Sequence, residues 1–316
     1  RTSGNMIINT GGRTDTVNYY SYWLLNRFEE GYVYSRNPLF PNHITKYTLH
    51  PSMVDCVVFC SKNYLPILPN LHRITDRFNV FCHYTITAYG KDIEPNVPDI
   101  DQSIGTLIEL SAKVGQKCVA WRYDPVLLTE KYTVDYHLKM FDYMASRLAP
   151  YVNFCVFSFV EMYKRLEYHM PELIPQTDGD KEKLAEGMGA IARKYGLHLQ
   201  TCGTSESYSR YGIACSGCMT TANLGNALGC RFRNMAHKGT RIGCSCMPTR
   251  DIGAYNTCLN GCKYCYANKK PESATENYKL HDPDSPLLIG RVKPTDIIKE
   301  ATQKSFILPQ QKDIFQ

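Results

Sequence analysis

The chain has 316 residues, of which 43% are hydrophobic, and a formal net charge of +6, so it is long enough for a large domain with a substantial core. No apolar run approaches the roughly 20 residues of a membrane span, so a membrane protein is not predicted. The basic residues are scattered rather than clustered, which makes nucleic acid an unexpected partner.

The first two-thirds of the chain alternates short apolar runs with helix-like stretches. Strands are predicted at 6–10, 55–60, 78–87, 118–124, 153–160 and 197–202. Helices are predicted at 18–30, 64–74, 101–115, 133–149 and 180–195. This alternation indicates βαβ units, an α/β fold and a parallel sheet. Because no G-x-G-x-x-G follows the first strand, we expect a partial (β/α)₆ TIM-like barrel rather than an open dinucleotide-binding sheet.

The periodicity ends at Cys202. Residues 202–290 are rich in Gly, Cys, Asn, Ser and Thr, and a metal centre would compensate for the core that such a segment lacks. We therefore expect a barrel domain at 1–201, a cysteine-rich metal region at 202–290, and a C-terminal helix (295–305) and tail at 291–316.

Cysteine usage points to metal thiolates. Nine of the fourteen cysteines lie between Cys202 and Cys265, whereas a secreted disulfide scaffold is short and evenly stapled. The first residues also show no secretory signal pattern. A metalloprotein of the reducing cytoplasm is predicted.

The stretch "CLNGCKYC" contains the most specific spacing, with Cys258, Cys262 and Cys265 in a C-x₃-C-x₂-C pattern. Closed zinc sites and closed [4Fe–4S] clusters both use four protein ligands. Three thiols on one loop would leave one position open, and Gly261 would let the backbone wrap closely. The spacing favours iron–sulfur, with zinc and a distant fourth ligand as the alternative.

The same residues carry a family resemblance. "CLNGCKYCY" resembles the C-x₃-C-x-aromatic-C cluster motif of the radical S-adenosylmethionine (SAM) superfamily. The resemblance implies that the three cysteines bind three irons of a [4Fe–4S] cluster, SAM chelates the fourth, and Tyr264 packs near the adenine. It also implies reductive cleavage of SAM to a carbon radical, oxygen sensitivity, an electron donor such as flavodoxin or ferredoxin, and a partial (β/α)₆ barrel.

The whole chain is similar to an uncharacterised bacterial family that has this motif C-terminal to a barrel-like domain. The stretches that carry this similarity are "GGRTDTVNYYSYW", "GYVYSRNP", "YTITAYGKDIEPNVP", "WRYDPVLLTEKYT" and "DIGAYNTCLNGCKYCYAN". The superfamily motif normally follows the first strand. Here it follows the sixth predicted strand.

Six further cysteines precede the motif and suggest a second centre. They are Cys202, Cys215, Cys218, Cys230, Cys244 and Cys246. Their C-x₂-C and C-x-C spacings are typical of ligands, but spacing does not choose among the six. Similar sequences indicate Cys202, Cys218, Cys244 and Cys246, with an auxiliary [4Fe–4S] cluster as the first expectation and structural zinc as the alternative.

Polar residues at the carboxyl ends of barrel strands are the expected chemistry. We predict Arg122 and Asp124 as catalytic residues and Arg13, Asp15 and Lys91 as cofactor-binding residues. Cations there could hold a small anionic substrate. The structural alternative is that "RTD" and "RYD" are internal ion pairs.

The leading hypothesis is a radical SAM enzyme acting on a small molecule. One alternative is a zinc-binding interaction or nucleic-acid-binding module on a barrel scaffold. The other is a non-catalytic iron–sulfur electron carrier.

Overall fold

The structure is a computed structural model that describes residues 6–204, 206–233 and 244–309. The strands are β1 (Ile7–Asn9), β2 (Tyr32–Arg36), β3 (His43–Thr48), β4 (Cys56–Ser61), β5 (Val80–Thr85), β6 (Val119–Val126), β7 (Phe154–Phe159), β8 (Leu199–Thr201), β9 (Ala214–Cys215), β10 (Arg250–Asp251) and β11 (Ile297–Glu300). The helices are α1 (Thr16–Tyr19), α2 (Ser21–Glu30), α3 (His72–Thr75), α4 (Ile100–Val114), α5 (Val134–Leu148), α6 (Lys164–His169), α7 (Asp178–Tyr195), α8 (Thr221–Leu228) and α9 (Pro271–Tyr278). Within these ranges, no helix is both long and apolar enough to cross a bilayer.

The central feature is an eight-stranded sheet in the order β10-β1-β4-β5-β6-β7-β8-β9, in which every pairing is parallel. All six predicted strands belong to it, and each is followed along the sheet by the next one in the chain. The mixed α/β class and the parallel sheet are therefore confirmed. The cysteine-rich region contributes β9 and β10, which form the two edges.

The two faces of the sheet are covered by different parts of the chain. Side chains alternate between faces along each strand, so Val57 and Phe59 pack in the core that includes Leu107 of α4. Val58 of the same strand packs in a second core with Cys202, Cys218 and Cys246. Helices therefore cover one face, and the cysteine-rich segment packs against the other.

Four of the five predicted helices are present with ends close to those expected. Helix α7 begins two residues before Asp180, because Thr177 and Asp180 form a reciprocal capping box. The helix predicted at 64–74 is wrong over most of its length: the structure has a 3₁₀ turn at Leu68–Asn70 followed by the short α3. Pro66 and Pro69 interrupt helical hydrogen bonding there.

The helix predicted at 295–305 is also wrong, because this segment contains β11, which pairs in parallel with β3 in a three-stranded sheet. Lys46 of β3 lies opposite Glu300 and donates to it at 3.0 Å. Pairing with an existing strand edge outweighs the helix propensity of "TDIIKEATQKS".

Candidate metal centres

Three of the four cysteines predicted for the second centre form a compact group, and the fourth, Cys218, adjoins it. The Sγ atoms of Cys202, Cys244 and Cys246 are within 4.8 Å of one another, and Cys218 Sγ lies 3.3 Å from Cys246 Sγ. Cys202 follows β8, Cys218 precedes α8, and the other two precede β10. The three grouped thiols could bind a metal, and Cys218 lies beside them. The other two candidates lie apart. Cys215 is exposed and its thiol donates to the carbonyl of Thr204, and the backbone N–H of Cys230 donates to the Gly225 carbonyl at the end of α8.

The three motif cysteines lie on a loop that begins after β10, and all three are half-buried. Because β10 pairs with β1, the loop emerges from the strand at the edge of the sheet beside β1. Burial raises the pKa of Cys258 to about 12, so its thiol is protonated until a metal displaces the proton. Among the described residues, the three are not a group whose sulfurs all lie within 4.8 Å.

A buried polar network anchors this loop to the start of the chain. Asn260, between the first two motif cysteines, donates from Nδ2 to Asp15 Oδ2 at 3.0 Å and accepts at Oδ1 from Tyr19 at 3.1 Å. Asp15 also accepts from Ser61 Oγ at 2.6 Å and from the backbone N–H of Lys62 at 3.0 Å. Burial raises the pKa of Asp15, and these hydrogen bonds oppose that shift. The predicted cofactor residue Asp15 is thus a support of the cysteine loop.

A second buried network lies on the other side of the loop, around Glu94. Its Oε1 accepts from Lys62 Nζ at 2.8 Å, from Thr87 Oγ1 at 2.8 Å and from the Tyr264 hydroxyl. The Lys62 ammonium lies 5.7 Å from the Tyr264 ring centroid. Burial raises the pKa of the Cys262 thiol, the Lys62 charge lowers it, and the Glu94 charge raises it further. The motif tyrosine is therefore held by a buried ion pair next to a motif cysteine.

The predicted catalytic residues form a partly buried ion pair. Arg122 Nη2 donates to Asp124 Oδ2, and Ser158 Oγ donates to the other carboxylate oxygen. The charge of Arg122 also acts on the thiols of Cys202 and Cys218. This arrangement is the internal pairing that the structural interpretation of "RYD" predicts, and it lies on the cysteine-covered face.

The remaining predicted cofactor residues have other partners. Arg13 lies 4.0 Å from Asp251 and 5.6 Å from the ring centroid of Tyr255. Lys91 is exposed and lies 3.4 Å from Asp99, beside an open groove of about 480 Å³. The structure thus brings Asp15 to the motif loop, of which Tyr264 is a member, and Arg13 to the end of β10, whereas Lys91 pairs with Asp99 in the loop before α4.

Sequence reasoning missed Glu94 and Asn260. Glu94 lies in the loop "KDIEPNVP" and Asn260 at a variable position inside the motif, so neither belongs to a spacing pattern. The one sequence signal for Asn260 is that a polar residue stands between two cysteines that are expected to be buried as metal ligands.

His83 is fully buried, and neither ring nitrogen has a hydrogen-bond partner in the described part of the chain.

Asp251 should make stability depend on pH. Burial raises its pKa from 3.8 to about 6, although Arg13 and backbone N–H groups of Gly12 and Gly253 oppose the shift. Between these values the folded chain binds a proton that the unfolded chain has released, so stability falls as pH rises through the window. The contribution is about 3 kcal/mol at 1.36 kcal/mol per pKa unit.

Asp251→Asn is therefore expected to flatten this part of the profile. Urea denaturation of both proteins at several values from pH 4 to pH 7 measures the difference. Parallel profiles for the two proteins would contradict the assignment.

The chain matches one protein family, described as a domain of unknown function (DUF1848), over residues 7–267. No curated protein and no solved structure is significantly similar to it. The match spans the parallel sheet, the four-cysteine centre and the complete motif loop.

Proposed function

The chain belongs to the DUF1848 family, and we propose that it is a radical SAM enzyme that binds a [4Fe–4S] cluster through Cys258, Cys262 and Cys265. The observation that carries the proposal is the placement of this three-cysteine loop against two buried polar networks beside the parallel sheet. A largely buried lysine, two buried carboxylates and a buried asparagine around one cysteine loop are an arrangement that is more common at functional sites than elsewhere.

The sheet order supports the proposal despite the late position of the motif. The strand that leads into the motif, β10, occupies the edge of the sheet beside β1. In the spatial order of the sheet β10 is the first strand, so the motif follows the first strand in space although it comes late in the chain. In the superfamily that the motif resembles, the motif also follows the first strand. The successive parallel strands are also those that a partial (β/α) barrel requires.

The donor set fits the group. Three thiols on one loop leave an iron of the cluster without a protein ligand, and this iron is the position that SAM would occupy. When bound, the cluster supplies the electron that cleaves SAM reductively. Gly261 allows the tight loop, because its φ is +70° and a Cβ there would lie 3.0 Å from Pro95 Cγ.

The chain's own residues then have separable tasks. Asn260 and Asp15 fix the loop, and the burial of Asn260 and Thr257 limits water at its base. Glu94 orients Tyr264 through its hydroxyl, and the Lys62 ammonium balances the carboxylate charge. Arg122 remains the proposed contact for a small anionic substrate, and a flavodoxin- or ferredoxin-type donor the proposed source of electrons.

The second candidate is a zinc-binding interaction module, and the close thiols of the four-cysteine centre favour it. It requires no iron at Cys258, Cys262 and Cys265. Iron at this loop therefore separates the two candidates.

The test uses protein purified without oxygen and reconstituted with iron and sulfide. We expect about four irons at the loop, an EPR signal after reduction that changes on addition of SAM, and reductant-dependent consumption of SAM. Cys262→Ala should lose all three, and Cys215→Ala, which removes an exposed cysteine, should retain them. Zinc alone in the unaltered protein, with no iron after reconstitution, would contradict the proposal.

A further inference from the structure

The sulfur positions at the four-cysteine centre favour one shared metal ion over a cluster. In a tetrahedral zinc site the thiolates share one ion at about 2.3 Å, which places their sulfurs about 3.8 Å apart. The Sγ atoms of Cys202, Cys244 and Cys246 all lie within 4.8 Å of one another, with 3.9 Å between Cys202 and Cys246, and Cys218 Sγ, which is outside that group, lies 3.3 Å from Cys246 Sγ. In a [4Fe–4S] cluster each cysteine binds a different iron, and the cluster itself separates the sulfurs. We infer that Cys202, Cys218, Cys244 and Cys246 bind a single zinc ion.

The backbone around these thiols is built for close approach. A Cβ on Gly217 would lie 2.7 Å from the backbone nitrogen of Cys246, so only glycine lets the two segments meet there. The N–H of Met219 donates to Cys246 Sγ at 3.4 Å, and the N–H of Met247 donates to the Met219 carbonyl at 2.8 Å. Buried Gln200 of β8 donates to the Gly217 carbonyl at 3.0 Å. The segment around Gly217 and the segment around Cys246 are therefore held together by contacts that do not involve a metal.

The surroundings suit a closed, anionic centre. Four thiolates and one Zn²⁺ carry a net charge of −2, which a buried site must balance. Arg122, which is paired with Asp124, lies on the same face of β6 as Ala120 of this core, and the Met219 N–H donates to Cys246 Sγ, so a cationic side chain and a backbone donor are both on the side of the thiols. Cys202, Cys218 and Cys246 are buried in the apolar core that covers this face. The ion would fasten the cysteine-rich segment to the sheet without an open coordination position.

The contrast with the motif loop makes this assignment independent of SAM chemistry. The three motif sulfurs do not form a compact group of this kind among the described residues, whereas Cys202, Cys244 and Cys246 do. One chain would thus carry an open iron site and a closed zinc site. The zinc site would stand even if the motif loop bound no iron.

The experiment uses the full chain with Cys258, Cys262 and Cys265 all replaced by alanine, which removes the loop site. Metal and sulfide analysis should find about one zinc per chain and no iron. Adding Cys218→Ser should lower the zinc content at least tenfold, and adding the matched control Cys215→Ser, from the same C-x₂-C, should leave it unchanged.

Zinc-edge X-ray absorption on the unaltered chain gives a reading that does not depend on variant folding, and it should show four sulfurs at about 2.3 Å. A nitrogen ligand in that spectrum would overturn the four-cysteine set, with His83 as its source. Four irons and four sulfides in the triple variant would also overturn the inference, as would metal-free protein with a Cys218–Cys246 disulfide. Failure of the proposed function would appear separately, as absence of iron in the unaltered chain.

Discussion

Arg122→Met is expected to lower the free energy of unfolding by about 2–4 kcal/mol, between the cost of losing a surface pair and that of removing one partner of a fully buried pair. The guanidinium and the Asp124 carboxylate are each 16% exposed, so the carboxylate left behind remains largely out of water. Among the described residues, Ser158 would then be the side chain that donates to it. Methionine keeps most of the arginine volume, so the loss reports charge rather than packing.

The matched control is Lys131→Met, which removes the cation of an exposed ion pair. Lys131 and Asp92 lie 3.0 Å apart, and the lysine side chain is 60% exposed. Loss of such a pair costs about 1 kcal/mol or less. Urea denaturation without oxygen, with bound metals retained, compares the two variants. Similar losses of stability in both variants would show that the Asp124 carboxylate does not require the Arg122 charge to remain folded in this position.

A second comparison tests the pair itself. Adding Asp124→Asn to Arg122→Met removes the uncompensated charge, so part of the lost stability should return. Further loss in the double variant would mean that Asp124 has a stabilising role apart from Arg122.

The central strands could be predicted from sequence because their signal is local. The run "DCVVFC" is apolar on both faces, as a covered parallel strand requires, and it lies within one residue of β4. The edge strands have no such signal. Arg250 and Asp251 form β10 only because Ile8 and Asn9 offer a free edge more than 240 residues earlier in the chain.

The same distinction applies to the candidate site. The cysteine spacings identify the thiols, because ligands on one loop are close in sequence. The residues that hold the loop are distant: Tyr264 and Glu94 are 170 residues apart, and Asn260 and Asp15 are 245 apart. A buried hydrogen bond between such residues depends on the fold, so their roles follow only from the structure.

Asn260→Ala is expected to remove iron from the motif loop and to lower stability by about 3 kcal/mol. The estimate comes from one buried and one part-buried group that lose a partner, at about 1–3 kcal/mol each. These groups are the buried Asp15 carboxylate and the part-buried Tyr19 hydroxyl, which the Asn260 side chain contacts at 3.0 and 3.1 Å. Alanine at this position has no steric difficulty, so the effect reports the lost hydrogen bonds.

The control comes from the same loop. Lys263 is exposed, and its ammonium pairs with Glu172 at 2.8 Å on the surface, so Lys263→Met should keep its iron and lose about 1 kcal/mol or less. Iron content after reconstitution and urea denaturation of the unreconstituted chain are measured for both variants. The second reading separates two roles of Asn260, because the hydrogen bonds to Asp15 and Tyr19 do not require a bound metal. If Asn260→Ala lost stability but kept about four irons, the motif would hold its cluster without the buried network. If it lost iron and stability together, the cysteine loop would depend on the start of the chain, and a motif late in the sequence would work through residues beside the first strand.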